Sequence, residues 1–430
     1  MEPSGIKVPL SINGPRLLGR LDTFAEIGKT ACGGVNRQAL TLEDRKARET
    51  LAKLAHLRGF EISQDAIANI FIARRGRKNT SAAILIGSHL DTQPTGGKFD
   101  GALGTLAAFE VLETLEDAGV ETALPIEVVI WTNEEGSRFT PGSMGSQAYV
   151  AGEISHEIYS SISTEGVSLI NELDATLKAL PHAERRPLGG SPRGYLELHI
   201  EQGPLLEREG IPIGIVTGVQ GVRWLEIKII GEAGHAGTTL LTSRRDPMNA
   251  AIAALSELYA TIMPKDMDAR LTVGRMHVEP GSINSIPSAV TFTVDIRHPD
   301  ISKLDAIEVN VSHRIVETTR ITGCSVTIER LFDMPPTSFA ESLLVCIEDA
   351  ARAQGRESRR LISGAFHDAL FISRIAPTAM IFVPCRDGVS HNEREFVEPE
   401  FSILGAETLL RSTLRATELL AKRGQGEAFG

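Results

Sequence analysis

Histidine and carboxylate side chains stand close together in residues 88–101. This segment holds His89, Asp91 and Asp100 on a glycine-rich loop that follows the apolar run 82–86. Neutral imidazole and carboxylate oxygen are ligands that zinc and similar divalent ions prefer. Open α/β sheets place their sites beyond the carboxyl ends of buried strands. The segment therefore predicts part of a metal site, and other segments must supply the remaining ligands.

Two glutamates occupy the corresponding position after a second apolar run. Glu134 and Glu135 follow residues 125–131 and precede Gly136. An isolated pair of glutamates normally belongs to the solvated face of a helix. After a strand, however, successive side chains point in different directions. One carboxylate can then bind a metal while its neighbour contacts the bound water.

Two further histidines complete the set. His199 alternates with Glu197 and Glu201, which places the three polar side chains on one face of an extended segment. His391 stands in a loop after the apolar run 378–383. Taken singly, such a polar face is usually solvent-exposed, and a loop histidine is usually an ordinary surface group. Four such segments, three of them after buried strands, favour a shared site.

The elements that must position these residues alternate along the chain. Short, continuous apolar runs are typical of strands buried on both faces, and a helix-length segment over 101–119 separates the first two runs. This strand–helix–strand order predicts an α/β fold with a mixed, mostly parallel sheet flanked by helices. Further helices are expected over 16–30, 41–58 and 402–421. We assign this catalytic, metal-binding domain to residues 1–213 and 332–430.

The middle of the chain has a different pattern. Its predicted order is β-α-β-β-α-β, with elements over 222–230, 247–262, 271–279, 289–296, 303–318 and 323–330. This order is typical of a ferredoxin-like α+β fold. We therefore expect residues 214–331 to form an inserted domain. A chain of 430 residues also exceeds the size at which a single core keeps growing.

The composition of the chain indicates which classes of binding partner are to be expected. The net charge of −11 argues against nucleic acid or an anionic membrane surface. No apolar run approaches the roughly 20 residues that span a bilayer, and no secretory signal pattern is visible. The four cysteines are scattered, which suits reduced thiols. We expect a cytoplasmic protein with neither nucleic-acid nor membrane partners.

Six segments resemble those of a known family. They are SHLDTQPTGGKFDG at 88–101, TNEEGSRF at 132–139, GYLELHIEQGPLLE at 194–207, GEAGHAGTT at 231–239, NSIPSAVTFTVDIRHP at 284–299 and DGVSHNERE at 387–395. The chain resembles the M20-type metallohydrolases. It is most similar to the amidase branch that includes N-carbamoyl-L-amino acid hydrolases, allantoate amidohydrolases and β-ureidopropionases. The His-x-Glu-Gln-Gly motif separates this branch from the M20 peptidases.

The resemblance implies a centre with two divalent metal ions: zinc, manganese, cobalt or nickel. Its ligands would be His89, Asp100, Glu135, His199 and His391. Asp100 would bridge the metals, and His89 and His199 would hold different ones. Asp91 would orient a ligand imidazole. Glu134 would be the general base that activates a metal-bridging water and protonates the leaving nitrogen.

The resemblance also implies how the substrate is held. His235 would hydrogen-bond the substrate oxyanion, often from the partner subunit of a homodimer, so the inserted domain would serve as lid and dimerisation domain. Asn284 and Arg297 would bind the substrate carboxylate, and Gln202 the ureido end. From the residues alone, we would instead expect Arg297 to form a surface ion pair and Asn284 to cap a turn.

These inferences give a leading hypothesis and several alternatives. The leading one is an amidohydrolase that cleaves the carbamoyl C–N bond of N-carbamoyl-L-amino acids or related ureido acids. The alternatives are an allantoate amidohydrolase, an M20 aminoacylase or peptidase, and a catalytically inactive binding module. Phe366 and Leu240-Leu241 depart from the family pattern, which bears on substrate preference. The role of the nearby His367 is left open.

Overall fold

Two units, each built around its own sheet, make up the chain. The computed structural model describes residues 10–78 and 82–422. The first unit combines the chain up to Gly218 with the chain from Phe339, and the second spans Val219–Ser338. These boundaries lie later than the expected 213/214 and 331/332, because the strand after residue 212 pairs within the first unit's sheet.

The described residues up to Val219 form seven helices and seven strands. In chain order they are α1 (Gly14–Ala25), α2 (Leu42–Leu57), β1 (Glu61–Gln64), β2 (Ile70–Arg74), β3 (Ile84–His89), α3 (Ala102–Asp117), β4 (Ile126–Trp131), α4 (Met144–Ala151), α5 (His156–Tyr159), α6 (Leu169–Ala179), β5 (Glu184–Arg185), β6 (Gly194–Ile200), α7 (Leu205–Glu209) and β7 (Ile213–Val219). The helix expected over 16–30 ends at Ala25, where the Phe24 and Ile27 carbonyls turn to accept hydrogen bonds from Arg37.

The second unit is an antiparallel sheet with two long helices. Its elements are β8 (Gly221–Ile230), β9 (Gly234–His235), a 3₁₀ turn (Leu241–Ser243), α8 (Pro247–Thr261), β10 (Arg270–Glu279), β11 (Ser285–Ile286), β12 (Ala289–His298), α9 (Ile301–Ile321), β13 (Ser325–Met334) and β14 (Thr337–Ser338). The long strands lie in the order β10-β12-β8-β13, all antiparallel. Alternate apolar residues of these strands pack with α8 and α9 into a core of their own.

The last part of the chain returns to the first unit. It contains α10 (Glu341–Ala353), β15 (Ser358–Ser363), α11 (Asp368–Ile372), β16 (Thr378–Val383), a 3₁₀ turn (Arg386–Gly388) and α12 (Pro399–Lys422). Within the first unit's sheet the strand order is β7-β16-β6-β3-β4-β2-β1-β5. The four strands β16, β6, β3 and β4 are mutually parallel, whereas β7 and β2 run antiparallel to their neighbours.

The prediction of a mixed, mostly parallel sheet flanked by helices is confirmed. Strands β3 and β16 are buried along their whole length, as continuous apolar runs predict. Strand β6 is equally buried, although Glu197 and His199 alternate with its apolar residues. Helices α3 and α12 pack on β3 and β6, and α4 and α11 pack on β4, β6 and β16. In the part of the chain that the structure describes, none of the helices has both the length and the apolar character that a membrane crossing requires.

Candidate metal centre

The carboxyl ends of adjacent parallel strands place two histidines side by side. His89 is the last residue of β3, and His199 is the penultimate residue of β6. Both imidazoles are buried, and their ring centroids lie 5.9 Å apart. Gly101, which directly precedes α3 and has a φ of 63°, lies against the His89 ring and leaves room for it. A Cβ at that position would lie 2.3 Å from the His89 ring.

Asp100 lies between the candidate ligands. Its Oδ1 is 3.1 Å from Nε2 of His199 and 3.7 Å from Nε2 of His89. Its Oδ2 is 3.4 Å from Nε2 of His391, which in turn is 3.3 Å from Oε2 of Glu135. Two groups of possible ligands therefore share Asp100. One comprises His89, Asp100 and His199, and the other Asp100, Glu135 and His391.

This grouping contradicts one expectation from the sequence. His89 and His199 were expected to serve different metal ions, but both imidazoles approach the same oxygen of Asp100. The reason is topological, since β3 and β6 are neighbours in the sheet and their carboxyl ends meet at the same edge. Glu135 and His391 arrive from the loops after β4 and β16 and reach the other oxygen of Asp100.

Backbone carbonyls fix the tautomers of both buried histidines. Nδ1 of His89 lies 2.9 Å from the carbonyl oxygen of Asp91, and Nδ1 of His199 lies 3.0 Å from that of Ile200. A carbonyl only accepts hydrogen bonds, so each Nδ1 carries the proton. Each Nε2 therefore points at Asp100 and can bind a cation once it carries no proton, which is the arrangement that a metal ligand requires.

The electrostatics of the buried groups favour a cation beside Asp100. Burial opposes the charged form of Asp100, yet His199 and His391 hold its pKa well below the ordinary value. Burial likewise opposes protonation of His199, but Asp100 raises the pKa of that imidazole to about 9. Burial lowers the pKa of His89 to about 4. Asp100 is therefore ionised; a protonated His199 balances its charge, and a divalent cation would take the place of that proton.

Nε2 of His89 provides the clearest test of whether a metal fits. Among the described residues, this buried atom has no hydrogen-bond partner. It faces carboxylate oxygens of Asp100 and Glu134 at 3.7 and 3.5 Å. Because the lowered pKa leaves the imidazole neutral at physiological pH, a proton does not fill this gap. A divalent cation, with nitrogen and oxygen donors around it, fits the residues that are present.

Glu134 and Glu135 diverge as expected for residues that follow a strand. Oε2 of Glu134 approaches His89, whereas Glu135 approaches His391 and accepts hydrogen bonds from the main chain and the side chain of Gln93. Burial and the neighbouring carboxylates of Asp368, Glu135 and Asp100 raise the pKa of Glu134 well above its ordinary value. A carboxylate in this environment has the raised basicity of a general base.

Asp91 contacts the site differently from the expectation. Its carboxylate oxygen lies 4.0 Å from Nδ1 of His89, too far for a hydrogen bond, because its own carbonyl takes that proton. The carboxylate instead accepts the backbone N–H groups of Glu134 and Glu135 at 3.3 and 3.2 Å. Asp91 therefore holds the glutamate pair in place with its side chain and orients His89 with its main chain.

Gln202 lies within the site, beside Asp100. Its Nε2 donates to Oδ2 of Asp100 at 2.9 Å and to Oγ of Ser390 at 3.1 Å. The neighbouring Glu201 lies outside the site, contrary to the predicted alternation. Strand β6 ends at Ile200, and the Glu201 carboxylate accepts the N–H groups of Leu205 and Leu206 at the start of α7.

His367 also lies at the site, and its role was left open by the sequence. Its ring packs edge-on against His199, with centroids 4.7 Å apart, and its Nε2 is 2.8 Å from Oγ of Ser363. Glu197 lies on the same side, where it accepts hydrogen bonds from Ser88 and Tyr195. Burial lowers the pKa of His367 well below its ordinary value. The imidazole is therefore neutral, and its ring packs against His199 and supports that side chain.

The three predicted substrate residues of the second unit have local partners. His235 is exposed on β9, and its Nδ1 accepts the N–H groups of Gly237 and Thr238. Asn284 is exposed and accepts the hydroxyl of Ser282. The β9–β11 ladder brings these two residues together, since His235 pairs with the residue after Asn284. Arg297 lies on β12 and pairs with Asp295 through two nitrogens.

Sequence reasoning missed several residues that contact the predicted ligands, among them Gln93 and Glu395. Gln93 binds Glu135, and Glu395 accepts the backbone N–H of Asp100. Neither residue has a ligand-type spacing, since their partners are distant in sequence or belong to the main chain. Their only signal was that both fall within the resembling segments 88–101 and 387–395.

Comparisons with known proteins find similar sequences along most of the chain. Residues 85–415 match peptidase family M20/M25/M40. The chain is similar to an N-carbamoyl-L-amino-acid amidohydrolase from Rhizobium meliloti, with 37% identity over 95% of this chain and 98% of the relative. It is also similar to a ureidoglycolate hydrolase from Oryza sativa subsp. japonica, with 30% identity over 96% of this chain and 86% of the relative.

A solved structure extends the similarity to the fold. An amidase of the hydantoinase/carbamoylase family from Burkholderia multivorans superposes with a TM-score of 0.88 at 39% sequence identity. The match covers 95% of this chain and 99% of that structure. Because so little of the chain lies outside the match, both units have counterparts in this relative.

Proposed function

We propose that this chain, which belongs to peptidase family M20/M25/M40, is a metal-dependent amidohydrolase that removes the carbamoyl group of N-carbamoyl-L-amino acids or related ureido acids. One water and one carbamoyl amino acid would give the amino acid, ammonia and carbon dioxide. The curated relatives named N-carbamoyl-L-amino-acid amidohydrolase support this substrate class. We further propose a cytoplasmic homodimer in which the second unit serves as lid and dimerisation domain.

The observation that carries the proposal is the position of Asp100. It is shared by two groups of imidazole and carboxylate donors, and Glu134 stands beside one of those groups. M20 metallohydrolases use divalent metals, and two cations of the zinc, manganese, cobalt or nickel type suit these donors. We propose that His89 and His199 hold one cation, that Glu135 and His391 hold the other, and that Asp100 contributes to both.

Bound cations would supply water of lowered pKa, from about 15.7 toward 7, and polarise the scissile carbonyl. Glu134 would accept the proton of the attacking water and then deliver it to the leaving nitrogen. Its raised pKa suits this double role, since the carboxyl must hold the proton between the two transfers. Asp91 keeps Glu134 aligned through the backbone N–H.

The proposed substrate contacts divide between the two units. We propose that the guanidinium of Arg297 binds the substrate carboxylate by a bidentate pair, which requires release from Asp295. Asn284 would bind the same carboxylate, His235 would donate to the developing oxyanion, and Gln202 would contact the ureido end. Each of these side chains carries a donor suited to an anionic or carbonyl oxygen.

Ammonia release tests the proposal directly. The metal-loaded enzyme is assayed with N-carbamoyl-L-, N-carbamoyl-D- and N-carbamoyl-β-amino acids, ureidoglycolate, allantoate, N-acetyl amino acids and dipeptides. We expect turnover of N-carbamoyl-L-amino acids and none of N-acetyl amino acids or dipeptides. Cleavage confined to acyl or peptidyl bonds would identify an aminoacylase or peptidase instead. Cation binding without any turnover would indicate a binding module.

A further inference from the structure

Glu395 is a buried carboxylate that the proposed reaction does not use. It is 3% exposed and lies four residues after His391. Its Oε1 accepts two consecutive backbone N–H groups, from Phe99 at 2.9 Å and from Asp100 at 3.0 Å. Its Oε2 lies 3.1 Å from Oγ of Ser390. One side chain thus connects the loop that carries Asp100 with the loop that carries His391.

The loop before Asp100 is shaped around this carboxylate. A Cβ at Gly97 would lie 2.1 Å from Oε1 of Glu395 and 2.4 Å from its Cβ, so only glycine permits this approach. The carboxylate therefore fills the concave side of the loop. Because both N–H groups bind one oxygen, Glu395 fixes the main chain at Asp100. The carboxylate of Asp100 belongs to both groups of candidate metal ligands.

Ser390 lies between two carboxylates and has only one proton to donate. Its Oγ is 2.9 Å from Oδ2 of Asp100 and 3.1 Å from Oε2 of Glu395. Gln202 donates to the same Oγ at 3.1 Å, so the hydroxyl oxygen already accepts one hydrogen bond. The hydroxyl proton can therefore point to Asp100 or to Glu395, but not to both at once.

We propose that Glu395 is a positioning residue that keeps Oδ2 of Asp100 available to a cation. It would do so by fixing the Asp100 main chain and by offering the Ser390 hydroxyl an alternative acceptor. When the proton of Ser390 points to Glu395, Oδ2 of Asp100 accepts the hydrogen bond of Gln202 and keeps a lone pair free for a cation. This inference rests on the proposed two-cation centre, and Glu395 acts through Asp100 rather than on the substrate.

The Glu395→Gln variant tests one contribution alone, namely the alternative acceptor that Glu395 offers to the Ser390 hydroxyl. The amide oxygen can still accept the N–H groups of Phe99 and Asp100, but the amide nitrogen cannot accept a proton from Ser390. The Ser390 hydroxyl is then directed to Oδ2 of Asp100, where it competes with the cation. We expect the Zn²⁺ affinity of the site formed by Asp100, Glu135 and His391 to fall about 10- to 100-fold, as for other groups that orient metal ligands.

Removal of the hydroxyl provides the rescue. In Glu395→Gln/Ser390→Ala no proton competes for Asp100, so we expect the affinity to return to within about threefold of wild type. Ser390→Ala alone should bind Zn²⁺ at least as tightly as wild type. A purely structural role for Glu395 predicts a lower unfolding temperature with unchanged affinity and no rescue. Glu393→Gln is the matched control, since that carboxylate bonds Thr30 outside the site.

The affinities are measured on the full chain, stripped with a chelator and titrated with Zn²⁺ against a chromophoric competitor. Co²⁺ absorption spectra report the coordination independently of turnover. Unchanged affinity in Glu395→Gln, a loss that Ser390→Ala does not reverse, or a tenfold loss in Ser390→Ala alone would overturn the inference. Fewer than two tight sites in the wild-type protein would instead overturn the two-cation centre on which it rests.

Discussion

The residues proposed for chemistry and those proposed for substrate binding are held in opposite ways. In the first unit, the buried imidazole of His199 is fixed by a carbonyl, by Asp100 and by the ring of His367. In the second unit, His235 and Asn284 are exposed, and their side chains hydrogen-bond to residues two or three positions away in sequence. The first arrangement is preorganised, whereas the second can exchange its partners for a ligand.

This difference has a physical reason. Cations bind tightly only when their donors are already close, since assembling several carboxylates costs electrostatic repulsion. A substrate carboxylate needs only donors that give up a weak partner. An ion pair near the surface, such as that of the half-buried Arg297 with Asp295, contributes little stability. The cost of exchanging Asp295 for a substrate carboxylate is therefore small.

The largest effect should come from a change in the buried centre that leaves its shape intact. Glu134→Gln preserves size but cannot accept a proton. We expect kcat to fall by about 10³-fold or more, since general acid–base catalysis contributes about 10²- to 10⁴-fold. Zn²⁺ content and unfolding temperature should match those of wild type, because Glu134 is not among the proposed ligands. Turnover that survived in this variant would refute the assigned base.

Cation removal should affect the two units unequally. Binding at a free concentration about 1,000 times Kd stabilises the folded protein by about 4 kcal/mol. The chain has two tryptophans, Trp131 beside the centre and Trp224 in the second unit. In the Trp224→Phe variant, the fluorescence of Trp131 reports the unfolding of the first unit. In the Trp131→Phe variant, the fluorescence of Trp224 reports the unfolding of the second. We expect Zn²⁺ to raise the unfolding temperature that Trp131 reports by several degrees.

The signal from Trp224 should then move by less than half as much. Equal shifts at both tryptophans would mean that the units unfold as one, and the proposed contrast between them would not extend to stability. Mg²⁺ serves as the control cation, since it prefers oxygen donors and gains little from the imidazoles of His89 and His199.

Arg297→Lys tests the exposed side of the comparison. Lysine keeps the charge but loses the two parallel N–H donors of the guanidinium. We expect KM for the N-carbamoyl amino acid to rise about 10- to 100-fold, in line with about 1.5–3 kcal/mol for hydrogen bonds to charged groups. Zn²⁺ affinity should be unchanged. Arg275→Lys is the matched control, because that arginine pairs with Glu226 on the same sheet.

The buried part of the site was the part that sequence predicted well. The strands before His89 and Glu134 are continuous apolar runs, and such runs end where the polar ligands begin. The helix after Asp100 was also expected, and it begins at Ala102. Local patterns suffice here because one strand and one loop place each ligand.

Contacts between distant segments could not be predicted in this way. The alternation that placed Glu201 beside His199 assumed that β6 continues, whereas the strand ends and Glu201 caps the next helix. The pairing of His89 with His199 around one oxygen depends on the strand order, which local periodicity does not contain. Glu395 binds main-chain groups almost 300 residues away in sequence, and backbone donors leave no residue-type signal.

We expect the smallest effect from substituting a buried arginine of the first unit, which is compared with an exposed arginine of the same unit. Arg37 is buried, and its guanidinium donates to the carbonyls of Leu90, Phe24 and Ile27. Arg37→Lys cannot reach all three carbonyls, and an unsatisfied buried group costs about 1–3 kcal/mol. We expect the unfolding temperature to fall by about 5 °C. Arg75→Lys, at an exposed pair with Glu61, should change the unfolding temperature by less than about 1 °C.

Because Arg37 supports the loop after His89, the Arg37→Lys variant should also weaken Zn²⁺ binding severalfold. An equal response from both arginines would show that burial does not distinguish the support of this centre from ordinary surface pairing.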